Sequence, residues 1–521
     1  MGVGGNSLQN AANKKIQRKG ASNVSKILRE TERYEEIMGT TVPEEKRPGF
    51  HLTARIGWMN DPNGFSYYKD RFHLFFQYYP YSCTWGPMYW GHAVTNDLLH
   101  WQYRPAALAP DSNADRDGCF SGTAISLPDG RHMLLYTGVA DEFLPSGKKR
   151  GVQTQCIAFG DGESYKKYPA NPVLTHEDIP DIYSRYDFRD PKIWRAEDGT
   201  FRSLIAACTI TEQDGHLLLF SSPDGISWKF EKTLIRNNGR FGNMWECPDL
   251  FELDGTHVLL ISPQDMLPLE EVYYNGNGTV CILGDYDAEA QSFDEKSHQP
   301  IDQGIDFYAP QTVLSPDGRR IMIGWMQNWD TIHVHNPDLP WFGQTSLPRE
   351  LSVVNGKLIQ RPVREITSLR QNPVILKDIL FKNTIELPGV RGRQVELDLE
   401  IEPEAPDRLF EEFTVFFAQN SVEKETRFSF VRFNPMKSRL TIDRTFSGSR
   451  RGFIHQRSAR VNHDQGKIRL RLILDRFSAE VFVNEGEQAL SMTLFTEQEA
   501  DRISFHCDST VRLSVEKYDL M

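Results

Sequence analysis

Three acidic residues lie in segments where a solvated acid is unusual. Asp61 lies in GWMNDPNGF, Asp190 in DFRDPKIW and Glu246 in MWECPDLF, so each has aromatic or methionine neighbours. Burial among such side chains raises the pKa of a carboxyl group, so we expect a raised pKa for at least one of the three acids. Two acids in one such pocket are the apparatus of glycosidic cleavage: one attacks the anomeric carbon, and the other protonates the leaving oxygen and later activates water.

The sequence lacks the short motifs that mark other kinds of catalytic or cofactor-binding site. The sequence contains no GxSxG, HExxH or GxxxxGK[ST] segment, and the glycine-rich residues 275–278 do not fit GxGxxG. His73, His92 and His100 lack a CxxC or His-x3-His companion, so we interpret them as structural histidines rather than metal ligands. Each acid taken singly also has a structural interpretation, because Asp-Pro and Asn-Gly are common in turns.

The repeated turns indicate how the acids could meet. Between about residues 50 and 350, five Asp-Gly or similar turns are each followed at once by an apolar, β-rich run, and they lie 56 to 69 residues apart. These turns are Lys69-Asp70, Asp129-Gly130, Asp198-Gly199, Asp254-Gly255 and Asp317-Gly318. Because such turns mark hairpins and the spacing suits four short strands, the pattern predicts a five-bladed β-propeller. An irregular β-sandwich with frequent turns is the alternative.

A second marker precedes each turn by six to eight residues. Its copies are Asp61-Pro62, Ser121-Gly122, Asp190-Pro191, Cys247-Pro248 and Ala309-Pro310. The three acids precede their own turns by 9, 8 and 8 residues, and equivalent inner-strand positions of a propeller converge on its channel, so we expect the acids in one pocket. Glu246 lies one residue earlier relative to its proline than the two aspartates do, which leaves the direction of its side chain open.

The spacing of the turns and of the apolar residues divides the chain into segments. We expect an N-terminal extension over residues 1–45, partly disordered or with a short helix at Ser25–Glu36, and the propeller over 46–355. A linker would occupy 356–385. Alternating apolar residues in KIRLRLILD and SAEVFVNEG then predict an antiparallel β-sandwich over 386–521, so the fold class is all-β.

Composition restricts the partners and the compartment. A chain of 521 residues is too long for one ordinary core, and its net charge of −12 disfavours nucleic acid and anionic membranes as partners. No apolar run approaches the roughly 18 residues of a spanning helix. The start lacks the apolar region of a secretory signal, and the seven dispersed cysteines fit reduced thiols, so we expect a cytoplasmic protein.

Six ordered blocks resemble glycoside hydrolase family 32, the family of invertases, inulinases, levanases and sucrose-6-phosphate hydrolases. The blocks are WMNDPNG (58–64), WGHA (90–93), FSGTA (120–124), FRDPK (188–192), WECPD (245–249) and YAPQT (308–312). The segment LDRFSAEVFVNEG also resembles the C-terminal sandwich of that family. The resemblance implies a five-bladed propeller followed by a sandwich, and retaining hydrolysis of β-fructofuranosides such as sucrose and short fructo-oligosaccharides.

The resemblance also implies roles for individual residues. Asp61 corresponds to the nucleophile, Glu246 to the general acid/base, and Asp190 to the acid that binds fructose hydroxyls and stabilises the transition state. The positions that line the fructose pocket correspond to Asn60, Gln77, Trp85, Phe120, Ser121 and Arg189. The partner is then a small sugar, and no metal or organic cofactor is needed.

Three other functions remain open from the sequence. A sugar-binding propeller without catalysis would not require all three acids. A fructosyltransferase would pass fructose to another sugar rather than to water, and a sucrose-6-phosphate hydrolase would accept a phosphorylated leaving group.

Overall fold

The computed structural model describes residues 25–270, 272–333, 336, 338–422, 425–449 and 451–521. An α-helix, α1 (Lys26–Gly39), precedes the first strand, and Ser25 caps it by accepting a hydrogen bond from the Leu28 backbone N–H at 3.1 Å. Its buried Glu35 accepts a hydrogen bond from the Ala106 backbone N–H at 2.8 Å, which fixes the helix on the first blade. The helix overlaps the one expected at Ser25–Glu36, whereas the disorder expected before Ser25 falls outside the described residues.

Five four-stranded antiparallel blades follow and confirm the propeller. Blade 1 consists of β1 (Gly57–Tyr68), β2 (Arg71–Tyr79), β3 (Tyr89–Thr95) and β4 (Gln102–Leu108). Blade 2 consists of β5 (Gly118–Ser126), β6 (His132–Phe143), β7 (Lys149–Gly160) and β8 (Tyr165–Lys167), and blade 3 of β9 (Tyr183–Arg195), β10 (Phe201–Thr209), β11 (Gly215–Ser222) and β12 (Lys229–Arg236). Blade 4 consists of β13 (Trp245–Leu253), β14 (Thr256–Pro263), β15 (Val280–Asp287) and β16 (Ser292–Pro300). Blade 5 consists of β17 (Tyr308–Leu314), β18 (Arg320–Trp325), β20 (Arg349–Val354) and β21 (Lys357–Pro362), with β19 (Trp341–Phe342) between β18 and β20 in the chain.

Each of the five expected turns joins the first strand of a blade to the second. The corner residue has a positive φ in every case, 60° at Asp70 and 74° to 84° at the four glycines, as tight hairpin turns require. The first strands β1, β5, β9, β13 and β17 contact one another in a ring. The ring is reinforced where β19 pairs in parallel with β1, Gly57 opposite Trp341.

The C-terminal domain is a sandwich of ten strands around one apolar core. Its strands are β22 (Arg370–Ile385), β23 (Val395–Pro403), β24 (Phe413–Val422), β25 (Glu425–Asn434), β26 (Arg439–Asp443), β27 (Gln456–Arg460), β28 (Ile468–Asp475), β29 (Ser478–Val483), β30 (Gln488–Thr493) and β31 (Arg502–Leu520). The long strand β31 pairs with β24 near its start and with β23 near its end, so it belongs to both layers.

The prediction of a linker over 356–385 differs from the structure, in which most of these residues form strands of the two domains. Lys357–Pro362 is the outer strand of blade 5, and Arg370–Ile385 pairs with β31 in the sandwich. A short 3₁₀ helix, Arg364–Leu369, connects the two domains. Strand β22 shows no clean alternation because it lies at an edge with most of its side chains exposed, so its sequence does not resemble a half-buried strand.

Buried ion pairs join the propeller to the sandwich. His51 Nδ1 lies 2.8 Å from Asp475 Oδ2, and His51 Nε2 lies 3.0 Å from Glu480 Oε1. Arg349 Nη2 lies 2.6 Å from Glu480 Oε2. Burial opposes the charge on His51, but the two carboxylates outweigh it and raise the pKa of His51 to about 9. Among the described residues, no helix is long and apolar enough to cross a membrane.

Candidate active site

A β-bulge in the first strand of every blade lies at the second marker, and all the candidate residues except Gln77 and Trp85 lie at or next to these bulges. Each strand loses register with its neighbour at the second marker, and the residue before proline has a positive φ in three blades: 63° at Asp190, 49° at Cys247 and 49° at Ala309. Two sets of equivalent positions result. The residues directly before proline are Asp61, Asp190, Cys247 and Ala309, and those one residue earlier are Asn60, Arg189, Glu246 and Tyr308.

Members of the first set contact one another around a single sulfur. Cys247 Sγ lies 3.7 Å from Asp61 Oδ2 and 3.7 Å from Asp190 Oδ2. The Cys247 backbone N–H donates to Asp190 Oδ2 at 3.0 Å, and Ser121 Oγ donates to Asp61 Oδ2 at 2.8 Å. Asp61 Oδ1 has no hydrogen-bond partner among the described residues, so this buried carboxylate keeps one free oxygen.

Members of the second set meet at Glu246. Arg189 Nε lies 3.1 Å from Glu246 Oε1, and Tyr308 Oη lies 2.8 Å from Glu246 Oε2. Gln264 Nε2 donates to the same oxygen, Oε2, at 2.8 Å. Arg189 Nε also lies 4.0 Å from Asp190 Oδ2, so this guanidinium links the two sets. The three acids predicted to share a pocket are therefore brought together, with Glu246 one position away from the aspartates.

The electrostatics of the pocket disfavour full ionisation. Burial, followed by the negative charge of Glu246, raises the pKa of Asp61 to about 6. Burial raises the pKa of Asp190 to about 7; Arg189 opposes the rise, and the carboxylates of Glu246 and Asp61 add to it. The pKa of Arg189 is raised by its acidic neighbours despite burial, so it stays charged. The expectation that the aromatic surroundings raise a carboxyl pKa agrees with both aspartates.

Three predicted sugar-binding residues contact this acidic core. Ser121 hydrogen-bonds Asp61, and Arg189 contacts Glu246. Asn60 is buried, and its Oδ1 accepts a hydrogen bond from Trp58 Nε1 at 2.7 Å. Such a contact holds the Asn60 amide in one orientation beside the acid that follows it in the chain.

The other three lie around one wall next to the core. Gln77 Nε2 donates to the Cys119 carbonyl oxygen at 3.1 Å, which places it against the residue that precedes Phe120. Trp85 and Phe120 pack edge to face with ring centroids 6.1 Å apart. Trp85 is 49% exposed, so it has an accessible aromatic surface next to Phe120.

Three further residues of the site were not predicted: Tyr308, Gln264 and Cys247. The signal for Tyr308 lies in the proline register, because it precedes Pro310 by two residues as Glu246 precedes Pro248. Cys247 takes the place in blade 4 that Asp190 takes in blade 3. Gln264 follows the end of β14, and nothing in its local sequence distinguishes it.

The histidines interpreted as structural have contacts that suit that role. His73 Nδ1 lies 3.1 Å from His92 Nε2 in the interior of the propeller, and burial lowers the pKa of His73 to about 4. His100 lies outside this pair and contacts Asp97. Among the described residues, no group of three or more His, Cys, Asp or Glu side chains is placed to hold a metal ion.

Comparison with known proteins identifies the family. The model of the glycosyl hydrolases family 32 N-terminal domain matches residues 51–362, and that of the family 32 C-terminal domain matches 365–519. The chain is 35% identical to a sucrose-6-phosphate hydrolase of Zymomonas mobilis, with 87% of this chain and 88% of the relative covered. It is 35% identical to a raffinose invertase of Escherichia coli, with 88% and 91% covered. A Bombyx mori GH32 β-fructofuranosidase has a similar structure, with a TM-score of 0.79 at 34% identity and 94% and 97% of the two chains covered. This chain therefore belongs to glycoside hydrolase family 32.

Proposed function

We propose that this glycoside hydrolase cleaves terminal β-D-fructofuranosides, sucrose among them, with retention of configuration. The observation that carries the proposal is the meeting of Asp61 and Asp190 at the sulfur of Cys247, with Glu246 held beside them by Arg189. Two carboxyl groups on one sugar ring are the requirement of a double displacement, and this pocket supplies a third.

In the first step, an Asp61 oxygen attacks the anomeric carbon of fructose while Glu246 gives its proton to the departing oxygen. The bond to the leaving sugar breaks, the bond to Asp61 forms, and the leaving sugar departs as a neutral alcohol. The free oxygen Oδ1 of Asp61 is available for the attack without breaking the hydrogen bond of Ser121 to Oδ2. The transition state carries positive charge on the sugar, which the carboxylate of Asp190 favours.

In the second step, Glu246 takes a proton from water, and the resulting nucleophile displaces Asp61 from the sugar. Esterification has removed the charge of Asp61, so the pocket carries one fewer negative charge at this stage. Fructose leaves with the oxygen of water, Asp61 is released as a carboxylate, and the proton taken from water has restored Glu246 to its acid form.

The proposal is tested by replacing each acid with its isosteric amide. Asp61→Asn and Glu246→Gln are expected to lower kcat for sucrose by about 10²-fold or more, because each removes a covalent or proton-transfer step. Asp198→Asn changes an exposed acid in the turn of blade 3 and serves as the control. A variant is taken as folded if its circular dichroism spectrum and its melting temperature match those of the wild type. Near-normal fructose release by either active-site variant would contradict the assignment.

The substrate and the compartment are part of the same proposal. Sucrose is supported by relatives named sucrose-6-phosphate hydrolase and raffinose invertase, and by a Bombyx mori family 32 structure described as a mutant in complex with sucrose. We propose a cytoplasmic location, which is supported by the seven cysteines, all of which are free thiols.

A further inference from the structure

A cleft of about 550 Å³ is lined by residues of blades 2, 3 and 4 and lies next to the pocket of the acids, although Glu246 itself does not line it. Gln264 lines the cleft and also donates to Glu246 Oε2 at 2.8 Å. Asp187 lines it as well, and its Oδ1 lies 3.5 Å from Arg189 Nη1. A general acid must lie within hydrogen-bond reach of the oxygen that it protonates. The cleft therefore adjoins Glu246 through Gln264, within reach of a sugar whose glycosidic oxygen Glu246 protonates.

A cluster of guanidinium groups stands on the rim of this cleft. Arg150 lies over the ring of Tyr186 at 4.3 Å, and Arg185 lies at 5.2 Å from the same ring. Arg150 Nη2 is 2.8 Å from Asp187 Oδ2, and both Arg185 and the Tyr186 hydroxyl bind Glu142. The side chains of Arg150 and Arg185 are 49% and 40% exposed, so N–H groups outside their ion pairs can donate to sugar hydroxyls.

The charge of the cleft does not suit an anion. Among its described lining residues are two guanidinium groups and three carboxylates, those of Asp181, Asp187 and Asp265, together with His176. Each guanidinium already has a carboxylate partner. A phosphate monoester carries a charge of about −2 at neutral pH and needs cations that are free to pair with it. The acidic excess would repel such a group, whereas a neutral sugar suffers no such penalty.

We propose that this cleft, with Arg150, Arg185 and Asp187 on its rim, binds the leaving sugar in its uncharged form and so selects unphosphorylated fructosides over sucrose 6-phosphate. The proposal rests on the proposed function, since it assigns the second half of the substrate. The paired side chains supply both donors and acceptors, as a hydroxyl-rich ring requires, and their mutual ion pairs hold them in place before the sugar arrives.

The substrate preference of the wild type and of one charge variant tests the proposal. We expect kcat/KM for sucrose to exceed that for sucrose 6-phosphate by at least tenfold. Asp265→Asn removes one carboxylate and suits the positive φ of 55° at this position, because asparagine tolerates that conformation. It is expected to shift the ratio of the two kcat/KM values toward the 6-phosphate at least threefold. An equal or greater kcat/KM for the 6-phosphate in the wild type, or an unshifted ratio in the variant, would overturn the cleft assignment alone.

A second variant tests the guanidinium rim. Arg150→Gln is expected to raise KM for sucrose at least fivefold, whereas the inhibition constant of free fructose, which occupies only the pocket of the acids, stays within twofold. Arg391→Gln breaks an exposed pair with Asp501 in the sandwich and is the matched control. An unchanged KM for sucrose in Arg150→Gln, or equal losses of sucrose and fructose binding, would overturn the proposal. Failure of the wild type to release fructose from either substrate would overturn the proposed function and this inference together.

Discussion

The hydrogen bond from Ser121 to Asp61 offers a direct test of how the pocket sets its own pH range. Ser121→Ala removes a donor 2.8 Å from Asp61 Oδ2, and this donor stabilises the ionised form of the acid. A hydrogen bond to a charged group is worth about 1.5–3 kcal/mol, and one pKa unit corresponds to about 1.4 kcal/mol. The pKa of Asp61, about 6 in the intact protein, is therefore expected to rise by about one to two units.

The assay is kcat/KM for sucrose between pH 4.5 and 9. The proposed mechanism needs both Asp61 and Asp190 ionised, so activity falls as the pH drops through their pKa values of about 6 and about 7. With the pKa of Asp61 raised to about 7–8 in the variant, the acid limb is expected to move from about pH 7 toward about pH 8. Ser203→Ala is the matched control, because Ser203 is buried on β10 and its hydroxyl has no hydrogen-bond partner among the described residues. An acid limb that stays in place or moves to lower pH would refute the reasoning.

Two further predictions concern stability. The pKa of His51, about 9, lies above the usual value of 6.5, so its ion pairs stabilise the fold fully below pH 6.5, and up to about 3 kcal/mol is lost as the pH rises through 9. The melting temperature is expected to fall between pH 7 and 9.5, and a fall just as large in His51→Gln would exclude His51 as the cause. A Cβ at Gly343 would lie 2.0 Å from the Met59 carbonyl oxygen, so Gly343→Ala is expected to cost about 3 kcal/mol or more in urea unfolding. The control Gly356→Ala, also at positive φ but with open space around it, is expected to cost about 1 kcal/mol, and equal costs would contradict the steric argument.

The propeller was predictable because its signals are local and repeated. A tight hairpin turn requires a positive φ at a fixed place, and four Asp-Gly turns and one Lys-Asp turn, each followed by an apolar run, leave few other ways to bury those runs. The boundary after blade 5 was not predictable in the same way. Strand β22 is an exposed edge whose pairing with β31 depends on residues 120 or more positions away, and no periodicity in its own sequence reports that partner.

The candidate site was predictable to the extent that it follows the proline register. That register locates Asp61 and Asp190 directly, and it would also have located Tyr308, which occupies the same position in blade 5 as Glu246 in blade 4. Gln264 has no such marker. Its amide reaches Glu246 because β14 pairs with β13 and ends beside it, which is a consequence of sheet pairing rather than of local sequence.

The offset of one residue between the two sets also accounts for the different roles that we propose for the acids. Asp61 and Asp190 both directly precede a proline, and both contact the sulfur of Cys247. Their negative charges therefore add where a sugar cation would form. Glu246 lies one residue earlier relative to its proline, and Arg189, Tyr308 and Gln264 contact its two carboxyl oxygens. Had blade 4 carried its acid directly before the proline, that carboxylate would have joined the aspartates. No acid would then have stood beside the cleft to protonate the leaving oxygen. The separation of nucleophile from acid is thus built into the strand as a one-residue shift.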